Sequence, residues 1–420
     1  MICKVAQSLI QLPISMLTAR YLGPSNYGLI GYAGAVVAFF VPITMLGLQN
    51  TLIKELVETP ESEGEIIGTA LVMDMVSACL CFACISMLVS VINIGEMETI
   101  MVCVLYSISL FFRVLELMNC WFQYKLASKF PSIVMLFSYI VISLYKIYIL
   151  FMAKGIYWFA VINSIEFALN GSLFIVGYKK LGGNKFAFSW PMMKRLFSRG
   201  RFYVLSAMMV TVFQNTDHIM LKTMVGEFEN GIYTAAVTCS VVVQFVYTAL
   251  TDSMRPVVLQ CKKNNDRHYE KQIACLYGMI FYMSFAQIAG FTVFSKLVVK
   301  ILYGEAYLQA APVLRICVWQ FLFSYLGVVR NIWILAEGKQ NMLWKINLAG
   351  MLTNVVGNAV MIPLHGAMGA AAVSLLTQFC TNVMLGFVIP SLKQNNRLML
   401  QGLNPKVLLE LRNRSVMNER

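Results

Sequence analysis

Charge is what this chain lacks. Asp, Glu, Lys and Arg make up only 13% of its 420 residues, and histidine occurs three times. A soluble domain carries about 25% charged residues, and here the shortage runs the whole length. That excludes a soluble domain held by a single anchor. Strict apolar–polar alternation is also missing, which excludes a membrane β-barrel. Long polar segments are few, and the largest non-cytoplasmic one in the topology below covers only 294–311. There is no HExxH, no Gly-rich phosphate loop beside a strand, and no Ser/His/Asp arrangement singled out by spacing. No catalytic residue, metal site or cofactor is therefore assigned. Eleven cysteines are present, but Cys79, Cys81 and Cys84 share one apolar run without polar or histidine neighbours. Apolar surroundings disfavour the thiolate, so they read as small hydrophobes. No small-residue cleavage site follows the apolar first twenty residues, which read as a first span rather than a signal peptide.

What is there is hydrocarbon. Hydrophobic residues make up 59% of the chain, in runs near the roughly 20 residues a helix needs to cross a bilayer. The runs predict about twelve spans, near 3–19, 28–49, 66–92, 98–117, 132–152, 156–177, 202–221, 231–253, 272–293, 312–334, 342–360 and 367–389. The first is either a short span or the end of one that starts upstream. With the N-terminus cytoplasmic, inside segments hold 23 of the 33 Lys and Arg residues, outside segments five (Arg20, Lys154, Lys222, Lys296 and Lys300) and spans five. This is the positive-inside pattern. It puts both termini in the cytoplasm and accounts for much of the net charge of +13 without nucleic acid. The basic tail carries apolar Val407, Leu408, Leu409 and Leu411, the makings of a short amphipathic helix at the membrane surface.

Two stretches are alike. Leu22-Gly23-Pro24-Ser25-Asn26-Tyr27-Gly28 precedes the second span, and Val225-Gly226-Glu227-Phe228-Glu229-Asn230-Gly231 precedes the eighth. Each has glycines five apart, which suits a tight helix–turn–helix because glycine adopts positive φ freely. A weaker echo pairs Ile94-Gly95-Glu96 with Tyr303-Gly304-Glu305. Repetition about two hundred residues apart predicts two similar halves. Six spans per half give both the same orientation, related by a pseudo-two-fold axis along the membrane normal. The expected fold is an all-α integral membrane protein with two six-helix bundles. Its parts are 1–177, a basic cytoplasmic linker at 178–201, a second bundle at 202–389 and a basic tail at 390–420.

Ionisable groups at membrane depth are costly and face a cavity or a partner. Glu166 lies in the sixth span with Asn163 and Asn170 on its face; Lys146 is in the fifth span, Asp74 in the third, Asp217 in the seventh. Lys146 and Glu166 either line a lumen or pair with each other. Arg113 can pair with Glu116 at i,i+3. Arg113, Arg315 and Arg330 lie close enough to an interface to snorkel or else line the cavity. Asp252 and Arg255 read as a solvated interface pair. Asn347, Asn354 and Asn358 share a face of the eleventh span, and Gln214, Asn215, Asp217 and His218 cluster in the seventh. Such faces suit either a hydrated path or interhelical hydrogen bonds.

The stretch Ala19-Arg20-Tyr21-Leu22-Gly23-Pro24-Ser25-Asn26-Tyr27-Gly28 resembles the opening signature of Wzx-like bacterial polysaccharide transporters. Leu302-Tyr303-Gly304-Glu305-Ala306-Tyr307 with Ala310-Ala311-Pro312-Val313-Leu314-Arg315 resembles that family's segment before the tenth helix. Asn354 through Ile362-Pro363-Leu364-His365-Gly366-Ala367-Met368-Gly369-Ala370-Ala371 resembles its turn before the last helix. Asp217 and Gly231-Ile232-Tyr233 fit its seventh and eighth helices. The matches cover nearly the whole chain in order. Two departures are the short first span and His365, where the family usually has an aromatic residue. The resemblance implies a flippase of the MATE-like superfamily in the bacterial inner membrane. Such proteins move undecaprenyl-diphosphate-linked oligosaccharide repeat units, for O-antigen, capsule or other surface polysaccharide, by alternating access driven by an H⁺ or Na⁺ gradient. Its partners would be that lipid-linked oligosaccharide, membrane lipids, and the polymerase and chain-length components of the export pathway. Depth and charge then make Lys146, Arg113, Arg315 and Arg330 candidates for diphosphate and sugar. Glu166, Asp74 and Asp217 become candidates for ion coupling, and Asn163, Asn347, Asn354 and Asn358 for a polar lumen. The rivals are a multidrug exporter of the same superfamily, favouring an acidic and aromatic cavity, a polysaccharide polymerase or ligase, disfavoured by the short outside segments, and an inactive structural partner in the export complex.

Overall fold

The computed structural model describes residues 2–127, 129–264 and 269–405; the amphipathic segment expected at 407–411 lies outside them. Among the described residues the regular structure is helical. The first unit contains α1 (Ile2–Thr44), α2 (Leu48–Glu58), α3 (Glu63–Ile92), α4 (Met97–Ser107), α5 (Ser109–Arg113), α6 (Met118–Tyr124), α7 (Lys129–Phe151), α8 (Ile156–Ala160), α9 (Ile162–Lys180) and α10 (Trp190–Met224). There follow α11 (Glu227–Ser240), α12 (Gln244–Lys263), α13 (Tyr269–Tyr303), α14 (Ala310–Ala336), α15 (Leu343–Phe379), α16 (Leu385–Val388) and α17 (Lys393–Gly402). Contacts divide the chain into two compact units, 1–231 and 232–420. The boundary falls after α10, which packs along α1, rather than in the basic segment.

Each of the twelve expected runs falls on helix, interrupted at most by single turns. Among the described residues eight stretches are long and apolar enough to cross a membrane, or nine when α11 and α12, bent by 48°, count as one span. Two of the eight contain a break where the sequence predicts a turn. Gly23 in α1 (φ 72°) and Gly366 in α15 (φ 53°) each leave helical torsions. α10 falls short of that apolarity because of its polar residues, Gln214, Asn215, Asp217 and His218 among them. Helix is the expected answer, since hydrocarbon offers no partner for an open backbone group.

The outward faces are oily. On α3, Val72, Val76, Leu80, Met87 and Val91 form an exposed stripe at helical spacing, while Ile66, Ala70, Asp74, Ser77, Cys81, Ile85 and Val89 are buried opposite. On α7, Ile133, Phe137, Ile140, Leu144 and Phe151 are exposed, and Val134, Ser138, Tyr139, Ile142, Ser143 and Ile149 are buried. A water-soluble bundle has this polarity reversed. The protein is therefore a multi-pass membrane protein, with lipid as the solvent of these stripes. At one end of the first unit, Leu48, Leu52, Leu56, Ile66, Ile67, Phe122 and Phe174 close around Trp121, whose ring lies 4.6 Å from that of Tyr178.

The two glycine-marked stretches pack against each other within the first unit. The sequence reading gives both glycines of each stretch to the turn; the structure splits their roles. Gly23 (φ 72°) and Gly226 (φ 114°) make the turns. Gly28 and Gly231 serve close approach instead. A Cβ on Gly28 would lie 1.9 Å from Glu227 O, and one on Gly231 would lie 1.9 Å from Pro24 O. Asn230 Nδ2 donates to Gly28 O at 2.7 Å, and Asn230 Oδ1 faces His218 Nδ1 at 2.8 Å. That contact gives His218 a structural role.

The glycine contact predicts a contrast. Gly231→Ala should lower the melting temperature of the purified protein by about 5 °C, because the methyl has only rigid backbone to displace. Gly290→Ala in α13, where a Cβ meets nothing within 4 Å, should leave it unchanged or slightly raised. Equal melting for both variants would refute the close-approach role.

Candidate functional site

Charged residues of three helices meet in the first unit. α7 turns its lipid stripe away and puts Lys146 on the same face as Tyr139, Ile142 and Ser143. α9 presents Asn163, Glu166 and Asn170 three and four residues apart, on one face. The α4–α5 segment contributes Tyr106, Arg113 and, just beyond, Glu116. Asn163 Nδ2 donates to the Tyr106 hydroxyl. Arg113 Nε lies 3.2 Å from Glu116 Oε2, and its guanidinium stands 5.1 Å from the centre of the Phe167 ring. Lys146 and Glu166 are within electrostatic reach of each other but form no ion pair among the described residues. The sequence leaves Lys146 and Glu166 as either lumen groups or a bridge; here they are neighbours without a bridge. Four expected residues, Arg113, Lys146, Asn163 and Glu166, thus come together. Tyr106, half-buried and bonded to Asn163, is the member that sequence reasoning missed, since a lone tyrosine in an apolar run carries no signal.

Asp74 stands apart. It is fully buried on α3, and neither carboxyl oxygen has a hydrogen-bond partner among the described residues. Cys120 lies within its electrostatic reach. A bare carboxylate cannot be held in such surroundings, so this group carries a proton or faces a cation in any stable state. Asp217 is buried on α10, one residue before His218.

The remaining candidates belong to the second unit. Arg330 is buried on α14; Nη1 donates to Thr381 O at 2.6 Å and Nη2 to Asn331 Oδ1 at 3.1 Å. Thr381 sits in a π-helical turn, Cys380–Met384, whose widened ring misaligns carbonyls. Arg330 satisfies one of them. Arg315 is exposed, and its Nε donates to Ser295 Oγ at 2.7 Å. Asn354 and Asn358 are buried and bonded to each other at 3.1 Å, whereas Asn347 is half-buried.

Two ion-pair clusters fasten α10 to the rest of the first unit. Near its start, Arg195 Nε lies 2.9 Å from Glu55 Oε2, Arg199 Nη1 lies 3.0 Å from Glu58 Oε2, and Arg199 also pairs with Glu55, which is fully buried. Near its end, the buried Lys222 ammonium bonds Asn93 Oδ1 and Glu96 Oε2 and stands 5.4 Å over the Tyr32 ring. Sequence reading sorts Lys222 only as an outside cation. Glu96, in the glycine echo, is the signal that could have found its partner. Just before α10, the 184–189 segment runs along the start of α3, with Ala187 N donating to Gly64 O at 3.1 Å and Ser189 N to Thr69 Oγ1 at 3.0 Å.

A profile of the family described as polysaccharide biosynthesis protein matches residues 1–261. No curated protein matches the sequence significantly. Among solved structures, the lipid II flippase MurJ in an inward closed conformation is 15% identical, with 96% of this chain and 90% of that one covered at a TM-score of 0.71. An inward-facing multidrug resistance MATE family transporter of the MOP superfamily is 12% identical over 94% and 95% of the two chains, at 0.67. A MOP-superfamily transporter from Pyrococcus furiosus, described as having a binding pocket of reverse polarity that suggests a different function, is 14% identical over 93% and 94%, at 0.62. At these identities the likeness establishes the fold alone, one shared with these transporters.

The Lys222 cluster predicts a pH dependence. Its hydrogen-bonded ammonium holds the Glu96 carboxyl below the usual carboxylate range. A depressed acid stabilises the fold above its unfolded pKa and loses that contribution as pH falls through the folded one. The Glu96 carboxylate is half-exposed, so solvent screens the pair, and Glu96→Gln should cost about 0.5–1 kcal/mol at pH 7, with the difference from wild type shrinking below about pH 4.5. A pH-independent difference in chemical denaturation would contradict the ion pair.

Proposed function

Because the chain belongs to the polysaccharide biosynthesis protein family, we propose that it is a flippase. It carries undecaprenyl-diphosphate-linked oligosaccharide repeat units from the cytoplasmic to the outer leaflet of a bacterial inner membrane, by alternating access. The single observation that carries this reading is Lys146, an ammonium without an ion-pair partner among the described residues, on the buried face of a membrane helix, gathered with Arg113, Asn163 and Tyr106. A diphosphate bearing sugars cannot enter hydrocarbon unaided. A free ammonium offers it a charge-assisted contact, while amide and phenol groups suit sugar hydroxyls, and the polyprenyl tail needs only the lipid outside. Glu116 and Glu166 balance the cations of the resting cluster, so that substrate binding exchanges one anion for another.

Alternating access requires an outer closure and an energy source. The Gly28–Gly231 contact and the Lys222 cluster lie at the end read as outer, where they brace the first unit against which a closure would work. Asp74 supplies the carboxyl for coupling, since its burial without a partner makes its charge state costly in one conformation and relievable in another. Glu166 and Asp217 are the further coupling candidates. Arg315 supplies a second cation, whereas Arg330 serves first to hold the π turn. A multidrug exporter remains the rival that the shared fold allows; its cationic cargo would be repelled by Lys146 and Arg113.

Expressed in a host lacking its own repeat-unit flippase and making a matching glycan, the chain should restore surface polysaccharide. Lys146→Ala, at equal expression, should reduce it tenfold or more. Restoration of drug resistance without polysaccharide would favour the exporter. Asp74→Asn should fold as wild type and lose the sensitivity of export to uncouplers or Na⁺ removal, along with most export. Export that persists with wild-type sensitivity would return Asp74 to a structural role.

A further inference from the structure

The second unit carries a groove of about 860 Å³ between the start of α13 and the exposed face of α17. Its α17 wall is fixed in place. Tyr277 donates its hydroxyl proton to Asn395 Oδ1 at 2.8 Å, Tyr282 donates to Leu403 O at 2.7 Å, and Gly402 lies so close that a Cβ there would stand 2.2 Å from Ala274 O. Lys393 and Arg397 are four apart on α17 and therefore share a face; both are exposed, line the groove, and have no hydrogen bond or ion pair among the described residues. Lys271 of α13 adds a third cation. The one acid in the lining, Glu270, accepts a hydrogen bond from Gln394 Nε2 at 2.8 Å. Like charges four apart on a helix repel, and among the described residues neither member of this pair has an acidic partner in hydrogen-bond or ion-pair contact. Two large apolar side chains, Phe387 and Leu400, each 51% exposed, also line the groove, beside the amides of Asn396, Gln401 and Asn404.

We propose that this groove binds the phosphate headgroup of an anionic phospholipid of the cytoplasmic leaflet. Lys271, Lys393 and Arg397 hold the phosphate, and an acyl chain lies on Phe387 and Leu400. Three features select a lipid over a soluble anion. The cations border apolar side chains instead of sitting in an enclosed polar pocket. The groove lies where α13 and the α16–α17 turn leave the span, at a membrane boundary. The positive-inside sorting puts that boundary on the cytoplasmic side, where anionic headgroups attract basic residues. The site is independent of the transport reading, and its test needs no transport.

The test is native mass spectrometry of the detergent-purified full chain, titrated with phosphatidylglycerol, with phosphatidylcholine and, separately, with inorganic diphosphate. Wild type should prefer phosphatidylglycerol. The Lys393→Gln/Arg397→Gln double variant should bind it about 25-fold more weakly, on the basis of about fivefold per cation, with phosphatidylcholine binding and melting temperature unchanged. The charge-keeping Lys393→Arg/Arg397→Lys double variant should bind as wild type. Undiminished phosphatidylglycerol binding by the Gln variant would overturn the proposal. So would equal wild-type affinity for the two lipids, or for inorganic diphosphate and phosphatidylglycerol, the latter marking a soluble-anion site.

Discussion

Nothing polar can be left open in hydrocarbon, and most of this molecule follows from that constraint. Backbone groups close within helices. Where helices must break, at Gly23, Gly226 and Gly366, a residue without a side chain absorbs the torsion. Where a backbone group needs a partner, a side chain supplies one: Asn230 reaches Gly28 O, and Arg330 reaches Thr381 O beside the π turn. Asp74 departs from the rule, a buried carboxyl with no hydrogen-bond partner among the described residues. So does Lys146, an ammonium that neighbours Glu166 but forms no ion pair among the described residues. Residues that break a strict rule inside an otherwise compliant structure are where function is sought.

The helix α10 shows how charge organises what lipid cannot. Apolar faces give little reason for one helix to prefer another when lipid tails are equally apolar. α10 is instead fixed at its two ends by Arg195 and Arg199 on Glu55 and Glu58, and by Lys222 on Glu96 and Asn93. Ion pairs near an interface can be exchanged against water more cheaply than pairs in the interior. Such fastenings hold α10 where apolar contact alone would not.

Much of this was legible in the sequence, for reasons that can be named. Spans are legible because length and apolarity are local properties, and the Lys/Arg sorting tests their number. The turns at Gly23 and Gly226 are legible because positive φ has a residue signature. The close approach of Gly28 to Gly231 is not, because it joins helices two hundred residues apart. The cluster of Arg113, Lys146, Asn163 and Glu166 is half legible: helical spacing gives each residue its face but not which faces meet. Tyr106 and the Lys222–Glu96 pair needed the fold, since neither has a spacing that marks it. The uncompensated Lys393 and Arg397 look like any basic tail until Glu270 is seen bonded to Gln394.

The most direct test of the central claim is transport by the purified protein alone. Reconstituted into liposomes with a fluorescent polyprenyl-diphosphate oligosaccharide, it should make the inner-leaflet glycan accessible to an external quencher within minutes, far faster than empty liposomes, and faster under an imposed ion gradient. Accessibility no faster than in empty liposomes, for a correctly inserted protein that moves a cationic dye instead, would contradict the account.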